Sequence, residues 1–222
     1  MQNKEENQIV QTGMLTKVEP EIQKFNSSEV EVSIKNGRCE LMPRDCEILS
    51  ALEVYGAMTL DQIWAAFFVD LSQESLSSLF LQKPVDHRNG DGNGTYKRMM
   101  KLTQYGYTQR RLHPDFGQLF SITRKGHYWL QHAQKAKLSG APVLWPREWK
   151  LRHSLLVAAC GVVFSRLLNL ETVSERELIG YLRQPEKAQE RGFALRTPLP
   201  DLVIKHQGRW MRVEVELSEK SR

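Results

Sequence analysis

Residues 95–125 read TYKRMMKLTQYGYTQRRLHPDFGQLFSITRK, and the changes of period inside this stretch decide the fold. From Tyr96 to Tyr105 the apolar Met99, Met100 and Leu102 fall on or near one side of a helix, with Lys97, Arg98 and Lys101 facing out. Gly106 stops that helix. Thr108 to Leu112 and Leu119 to Ile122 flank a turn at His113-Pro114-Asp115-Phe116-Gly117, which predicts a β-hairpin. Thr123 is placed to cap a further helix running roughly from Arg124 to Lys137.

Upstream, Asn89-Gly90-Asp91-Gly92-Asn93-Gly94 is glycine-rich enough to predict a loop. Thr59, followed by Asp61 and Gln62, predicts the cap of a helix over Leu60 to Phe68. Pro43-Arg44-Asp45 starts another, which carries Ile48, Leu49, Leu52, Val54 and Tyr55 as far as Gly56. Residues 1–42 are polar, and Val30-Glu31-Val32-Ser33-Ile34 alternates as a short strand does. Helix, helix, helix, two-stranded wing, helix is the order of a winged helix-turn-helix, here over residues 43–138. Such a domain sends its third helix into the major groove, so Tyr96, Lys97, Arg98 and Lys101 are expected on double-stranded DNA. Arg110 and Arg111 on the wing are expected on flanking phosphates, and Arg124 and Lys125 at the head of the fourth helix are further expected DNA-binding residues. A winged helix used for protein contacts is the competing use, and the basic excess inside the third helix and wing argues against it.

That excess is local. The chain has 222 residues and a net charge of +5, yet from Thr95 to Arg152 twelve Lys/Arg stand against Asp115 and Glu148, a balance of about +10. The rest of the sequence is therefore slightly acidic, and the basic region has the character of a phosphate-binding footprint. A hydrophobic content of 41% suffices for one large or two small cores. No run of about 18 apolar residues predicts a membrane span, and the polar start MQNKEENQIVQTG lacks the apolar centre of a signal peptide. A cytoplasmic location without membrane insertion is the expectation. Cys39, Cys46 and Cys160 have neither disulfide nor zinc spacing, so they read as reduced structural thiols.

Ser139-Gly140-Ala141-Pro142 and Trp145-Pro146 predict a linker over 139–148, and a second domain of α/β character over 149–222. Trp149 to Leu168 has the period of a long helix, and Val173 to Leu182 of a second. Pro185, Gly192, Pro198 and Pro200 punctuate a loop before a terminal hairpin. Its strands, Asp201-Leu202-Val203-Ile204 and Val213-Glu214-Val215-Glu216-Leu217, turn at His206-Gln207-Gly208-Arg209. With a symmetric loop, opposing residue numbers sum to 415 and Asp201 faces Glu214. Like charges opposed in this way repel. A divalent cation between two oxygen ligands relieves them, and Mg2+ or Mn2+ held by carboxylates is the usual equipment of phosphodiester chemistry. Asp201 and Glu214 are therefore the candidate metal ligands. Glu216 is a further acid, or a glutamate in water. Lys220 is a group to stabilise phosphorane charge or position water, or a surface lysine. His153 on the long helix is a packed, hydrogen-bonded residue or a catalytic one. Glu177 could donate a metal oxygen, although Ser174-Glu175-Arg176-Glu177 already explains it as a capping box.

The string PDLVIKHQGRWMRVEVELSEK resembles the PD-(D/E)xK nuclease signature, with Glu216 where the signature has its lysine. With TYKRMMKLTQYGY and FSITRKGHYWL in a winged helix, His153 in RHSLLVAA, and ERELI, residues 43 to 220 resemble the replication-relaxation proteins, and more narrowly the MOBC relaxases of mobilizable plasmids. The resemblance implies a restriction-endonuclease-like second domain and site-specific nicking of one strand at a transfer origin. It implies Asp201, Glu214, Glu216 and Lys220 as active-site residues, with His153 and Glu177 beside them, and relaxosome accessory and coupling proteins as partners in a bacterial cytoplasm. Such a nuclease sheet continues past this hairpin, so the expectation is a C-terminus cut short at Arg222. The leading expectation is thus a plasmid mobilization relaxase. Its alternatives are a catalytically silent winged-helix protein acting as repressor or as relaxosome or replication accessory factor, and a double-strand endonuclease.

Overall fold

The computed structural model of the protein describes residues 40–70, 73–81, 92–134, 145–182, 185–190, 192 and 198–217. The strand expected at 30–34, the linker residues 139–144, Cys39 and Lys220 lie outside them. The fold is α+β, with two three-stranded antiparallel sheets among the described residues.

Helix α1 (Pro43–Tyr55) begins where proline needs no amide partner and where the Met42 N–H donates to the Asp45 carboxylate at 2.6 Å. It ends at Gly56. After the short strand β1 (Met58–Thr59), helix α2 (Leu60–Phe67) opens on a reciprocal capping box. The Gln62 N–H donates to Thr59 Oγ1 at 3.0 Å and the Thr59 N–H to Gln62 Oε1 at 3.1 Å. Helix α3 (Gln73–Leu79) is an element that the sequence pattern did not mark. Helix α4 (Asn93–Gln104) starts earlier than expected, because Asn93 and Gly94 form its first turn instead of a loop. A helical glycine costs about 1 kcal/mol, and the burial of Thr95, Met99 and Leu102 outweighs it.

Strands β2 (Thr108–His113) and β3 (Gly117–Ile122) pair from Thr108 with Ile122 to His113 with Gly117. Strand β1 adds to the other edge of β3, giving the order β1-β3-β2. Helix α5 (Arg124–Gln134) follows, its Gly126 N–H bound to the Thr123 hydroxyl at 3.1 Å. The central strand has apolar cover on both faces. Phe120 and Ile122 enter the main core with Ile48, Leu52, Ile63, Met99, Leu102 and Leu130, while Leu119 packs against Leu151 and Leu155.

Those two leucines belong to helix α6 (Glu148–Val162), which runs on through a π-helical turn at Val163–Leu167. Its second half places Ala158, Ala159 and Val162 in the main core. Trp145, expected in a linker, packs beside Leu119 and Leu151. The described residues accordingly belong to one compact unit.

The helix expected from Val173 is corrected to a strand followed by a helix. Asn169 takes a left-handed turn at φ 49°, and β4 (Glu171–Ser174) then uses Thr172 and Val173 to pair with the hairpin. Helix α7 (Glu175–Leu182) starts after it. The expected loop from Pro185 contains a short helix α8 (Pro185–Glu190), with proline at its permitted first position. The hairpin of β5 (Leu202–His206) and β6 (Arg209–Val213) has the expected register, from Leu202 with Val213 to His206 with Arg209. Gln207 at φ 49° and Gly208 at φ 77° make the two-residue turn whose twist suits paired strands. Strand β6 is shorter than expected and stops at Val213 instead of Leu217.

Buried polar groups bind these pieces. Gln62 donates from Nε2 to the Leu79 and Leu155 carbonyls at 3.0 and 2.7 Å, joining α2 to α3 and α6. Glu53 of α1 accepts from Arg176 of α7 at 3.1 Å and meets His127 Nδ1 of α5 at 2.8 Å. Burial lowers the Arg176 pKa, and the Glu53 charge opposes that shift. Removing one partner of such a set would leave an uncompensated buried charge.

Candidate nucleic-acid interface and the Asp201 cluster

Helix α4 buries Thr95, Met99 and Leu102 and exposes Lys97, Lys101 and Gln104, as its period requires. Tyr96 is half-buried against the main core. Arg98, expected on the outer face, is turned inward. Its Nε donates to Asp45 Oδ1 at 2.7 Å, its Nη2 bonds to Asp45 Oδ2, and the same nitrogen reaches the Glu40 carbonyl at 2.9 Å. Asp45 is 1% exposed, so Arg98 anchors α4 to α1 and is not presented with the lysines.

Arg110 and Arg111 are exposed at the middle of β2, and Arg124 and Lys125 at the start of α5. Arg110 Nη1 donates to Gln118 Oε1 at 3.5 Å, and Arg111 stacks over the Trp145 ring at 4.8 Å. Lys125 Nζ donates to the Tyr105 carbonyl at 2.7 Å and lies 4.7 Å from the centre of the Tyr107 ring. Among the described residues, Lys97, Lys101, Arg110, Arg111, Arg124 and Lys125 form no ion pair with a carboxylate.

The β2–β3 turn is latched to α6. His113, buried beside Phe116 at a ring separation of 4.7 Å, meets Glu148 Oε1 through Nε2 at 2.5 Å. Its Nδ1 accepts the Asp115 and Phe116 N–H groups at 3.1 and 3.3 Å. Nδ1 must therefore be unprotonated, and Nε2 carries the proton that it donates to Glu148. Glu148, itself exposed, shares the start of α6 with exposed Arg147, Trp149, Lys150 and Arg152.

Asp201 lies between buried Pro200 and β5. Its Oδ2 accepts the Val215 N–H at 2.8 Å and meets His153 Nε2 of α6 at 3.2 Å, while its carbonyl accepts the Glu175 N–H at 2.9 Å. Helices α6 and α7 and the segment after β6 thus converge on one aspartate, and its charge reaches Cys160. Burial first, then Asp201, raises the Cys160 thiol above its usual pKa.

Of the other residues expected here, Glu214 is exposed and takes Arg212 at 3.3 Å, and Arg212 also donates to the Pro198 carbonyl at 3.0 Å. Glu216 is exposed. Glu177 accepts the Ser174 N–H and hydroxyl at 2.9 and 3.0 Å, the capping box that its spacing suggests. The fold brings His153 to Asp201 and turns Glu177 to its own helix. Among the described residues no three His, Cys, Asp or Glu side chains converge where they could hold a metal ion. The donors among the described residues do not by themselves fit Mg2+ or Mn2+, which need several oxygen ligands.

The Arg98–Asp45, His113–Glu148 and Glu53–Arg176 contacts escaped sequence reasoning, since each joins residues far apart in the chain. Exposed Trp149 had a signal in the sequence, an aromatic set among Arg147, Lys150 and Arg152.

No protein-family model, curated protein or solved structure matches this chain. Among the described residues no helix is long and apolar enough to cross a membrane.

Proposed function

We propose that this protein binds double-stranded DNA through a winged helix-turn-helix, with α4 as the recognition helix and the β2–β3 hairpin as the wing. The observation that carries the reading is the set of exposed Lys97, Lys101, Arg110, Arg111 and Arg124 on adjoining elements, none ion-paired among the described residues. Clustered cations repel one another unless counter-charge is supplied, and a phosphate backbone supplies it. The strand order β1-β3-β2 beside α4 supports the same reading. The test is fluorescence anisotropy with a mixed-sequence duplex over a range of salt. Wild type should bind with a steep salt dependence, and Arg110→Glu with Arg111→Glu should remove most of the affinity. Salt-independent binding, or an unaffected double variant, rejects the proposal.

One observation favours a second reading, the meeting of His153 with Asp201 at 3.2 Å. In it the protein is a mobilization relaxase of the MOBC kind, acting in a bacterial cytoplasm with relaxosome accessory and coupling proteins, and nicking one strand at a transfer origin with Mg2+ or Mn2+. The described donors alone do not form a site for either metal. Supercoiled plasmid carrying the origin, incubated with each metal, decides between the readings. Nicking lost in both Asp201→Ala and His153→Ala supports the relaxase, whereas intact duplex binding without cleavage leaves the DNA-binding reading alone.

A further inference from the structure

Trp149 leaves 72% of its surface in water at the start of α6, while its helix neighbours Leu151 and Leu155 are buried against Leu119. The exposed indole adds little to that core. Lys150 Nζ lies 5.0 Å from its ring centre, and Arg147, at the N-cap of the helix, and Arg152, in its first turns, are also exposed. Glu148, the acid of this turn, is held by His113 of the wing at 2.5 Å and keeps its charge, so Arg147, Lys150 and Arg152 outnumber it three to one. The same latch, with Arg111 over Trp145 at 4.8 Å, holds the wing against the start of the helix that carries Trp149. One helical turn further on, His153 meets Asp201 at 3.2 Å.

We infer that Trp149 is a stacking site for an unpaired nucleobase, in a strand that leaves the duplex held by α4 and the wing, with Arg147 and Arg152 on its phosphates. The inference rests on the DNA-binding reading and specifies its substrate, a junction between double and single strands. An indole can stack only on a base whose face is open. Inside a duplex both faces are covered by neighbouring pairs, and reaching one means wedging a base step apart at a cost of a few kcal/mol, so the exposed ring is better suited to a frayed or single-stranded extension. Base stacking on an aromatic side chain tolerates any base, and the flanking cations follow the backbone. A strand on Trp149 would pass along α6 toward Asp201.

The experiment compares a blunt mixed-sequence duplex with the same duplex carrying a single-stranded extension that contains 2-aminopurine. Trp149→Ala should weaken binding of the extended duplex roughly ten-fold, leave the blunt duplex unchanged and lose the quenching of 2-aminopurine. Trp149→Phe should keep most of both signals. Circular dichroism should show Trp149→Ala folded, since the side chain is exposed. Equal losses on both probes, or quenching that persists in Trp149→Ala, overturn the inference while the DNA-binding reading stands. Wild type that binds neither probe overturns both. Trp149-dependent binding of polyglutamate, with no dependence for the extended duplex, overturns it in favour of a protein partner.

Discussion

Lys97, Arg98 and Lys101 stand together in the sequence, and alanine substitution should separate them into two classes. Lys97 and Lys101 are exposed on α4 without ion-pair partners among the described residues. If each meets one phosphate, the double variant Lys97→Ala, Lys101→Ala should lower the slope of log K against log salt by about 1.8, since each neutralised phosphate contributes about 0.9. Between 50 and 200 mM salt the wild type would then lose roughly twelve-fold more affinity than the variant. Arg98 is different: its guanidinium is bound to Asp45, which is 1% exposed. Arg98→Ala leaves a buried carboxylate without its cation, a change worth about 3–5 kcal/mol. The Met42 N–H at 2.6 Å still holds Asp45, which favours the lower end. That is a large part of the roughly 5–15 kcal/mol stability of a typical domain. Anisotropy titrations at several salt concentrations and urea unfolding on the same proteins read the two effects. An Arg98→Ala protein with unchanged urea midpoint and a flattened salt slope would place Arg98 on the DNA face and refute this orientation of α4. Equal slopes for wild type and the lysine double variant would remove α4 from the interface.

Gln62→Leu should lower stability by roughly 2–3 kcal/mol in urea, because it strips the side-chain partner from the Thr59 N–H and the Leu79 carbonyl at a fully buried site and removes the second bond of the Leu155 carbonyl, which keeps its own helix bond; a loss below about 1 kcal/mol would mean that water replaces them. A methyl group at Gly161 would overlap the Tyr55 phenol, so Gly161→Ala should destabilise by about 1–3 kcal/mol, and adding Tyr55→Leu should cost less than the two changes summed. Burial, then the Asp45 charge, pushes the Cys46 thiol up to about 11. The folded state thus holds this proton more tightly than the unfolded chain, where the thiol titrates near 8.5. Its contribution to stability is complete below that value and is lost as pH rises toward about 11, so the urea midpoint of wild type should fall across this window more than that of Cys46→Ala.

Local pattern made much of this fold legible, and distance in the chain hid the rest. Pro43, Gly56 and the Thr59–Gln62 pair mark helix ends through bonds to neighbours within a few residues, and the alternation around His113 to Gly117 marks a hairpin by its own turn. Strands β1 and β4 were illegible because each exists only through a distant partner, Phe120 for Met58 and Val203 for Val173. Local helical period then misled at Val173, where tertiary pairing overrode it. Arg98 shows the same limit within the candidate interface. Its position in the helix is readable, but its partner Asp45, on another helix, decides whether it faces water or the core.

Asp201 shows how correct register can coexist with a different use of the charge. The numbers sum to 415 through every observed pair, which sets Asp201 opposite Glu214 by extrapolation. The ladder, however, ends at Leu202 with Val213, one pair short. Beyond it the two chains no longer exchange backbone bonds, and the Asp201 carboxylate instead accepts the Val215 N–H, capping the strand end as a side chain caps a helix. Glu214 meanwhile turns to Arg212. A backbone N–H thus partners one acid and a guanidinium the other. His153 is the expected site residue whose side chain meets the Asp201 carboxylate. Chemistry at this aspartate, if nicking is observed, must work with a carboxylate oxygen already shared between an imidazole and a backbone amide, so His153→Ala should alter it as strongly as Asp201→Asn.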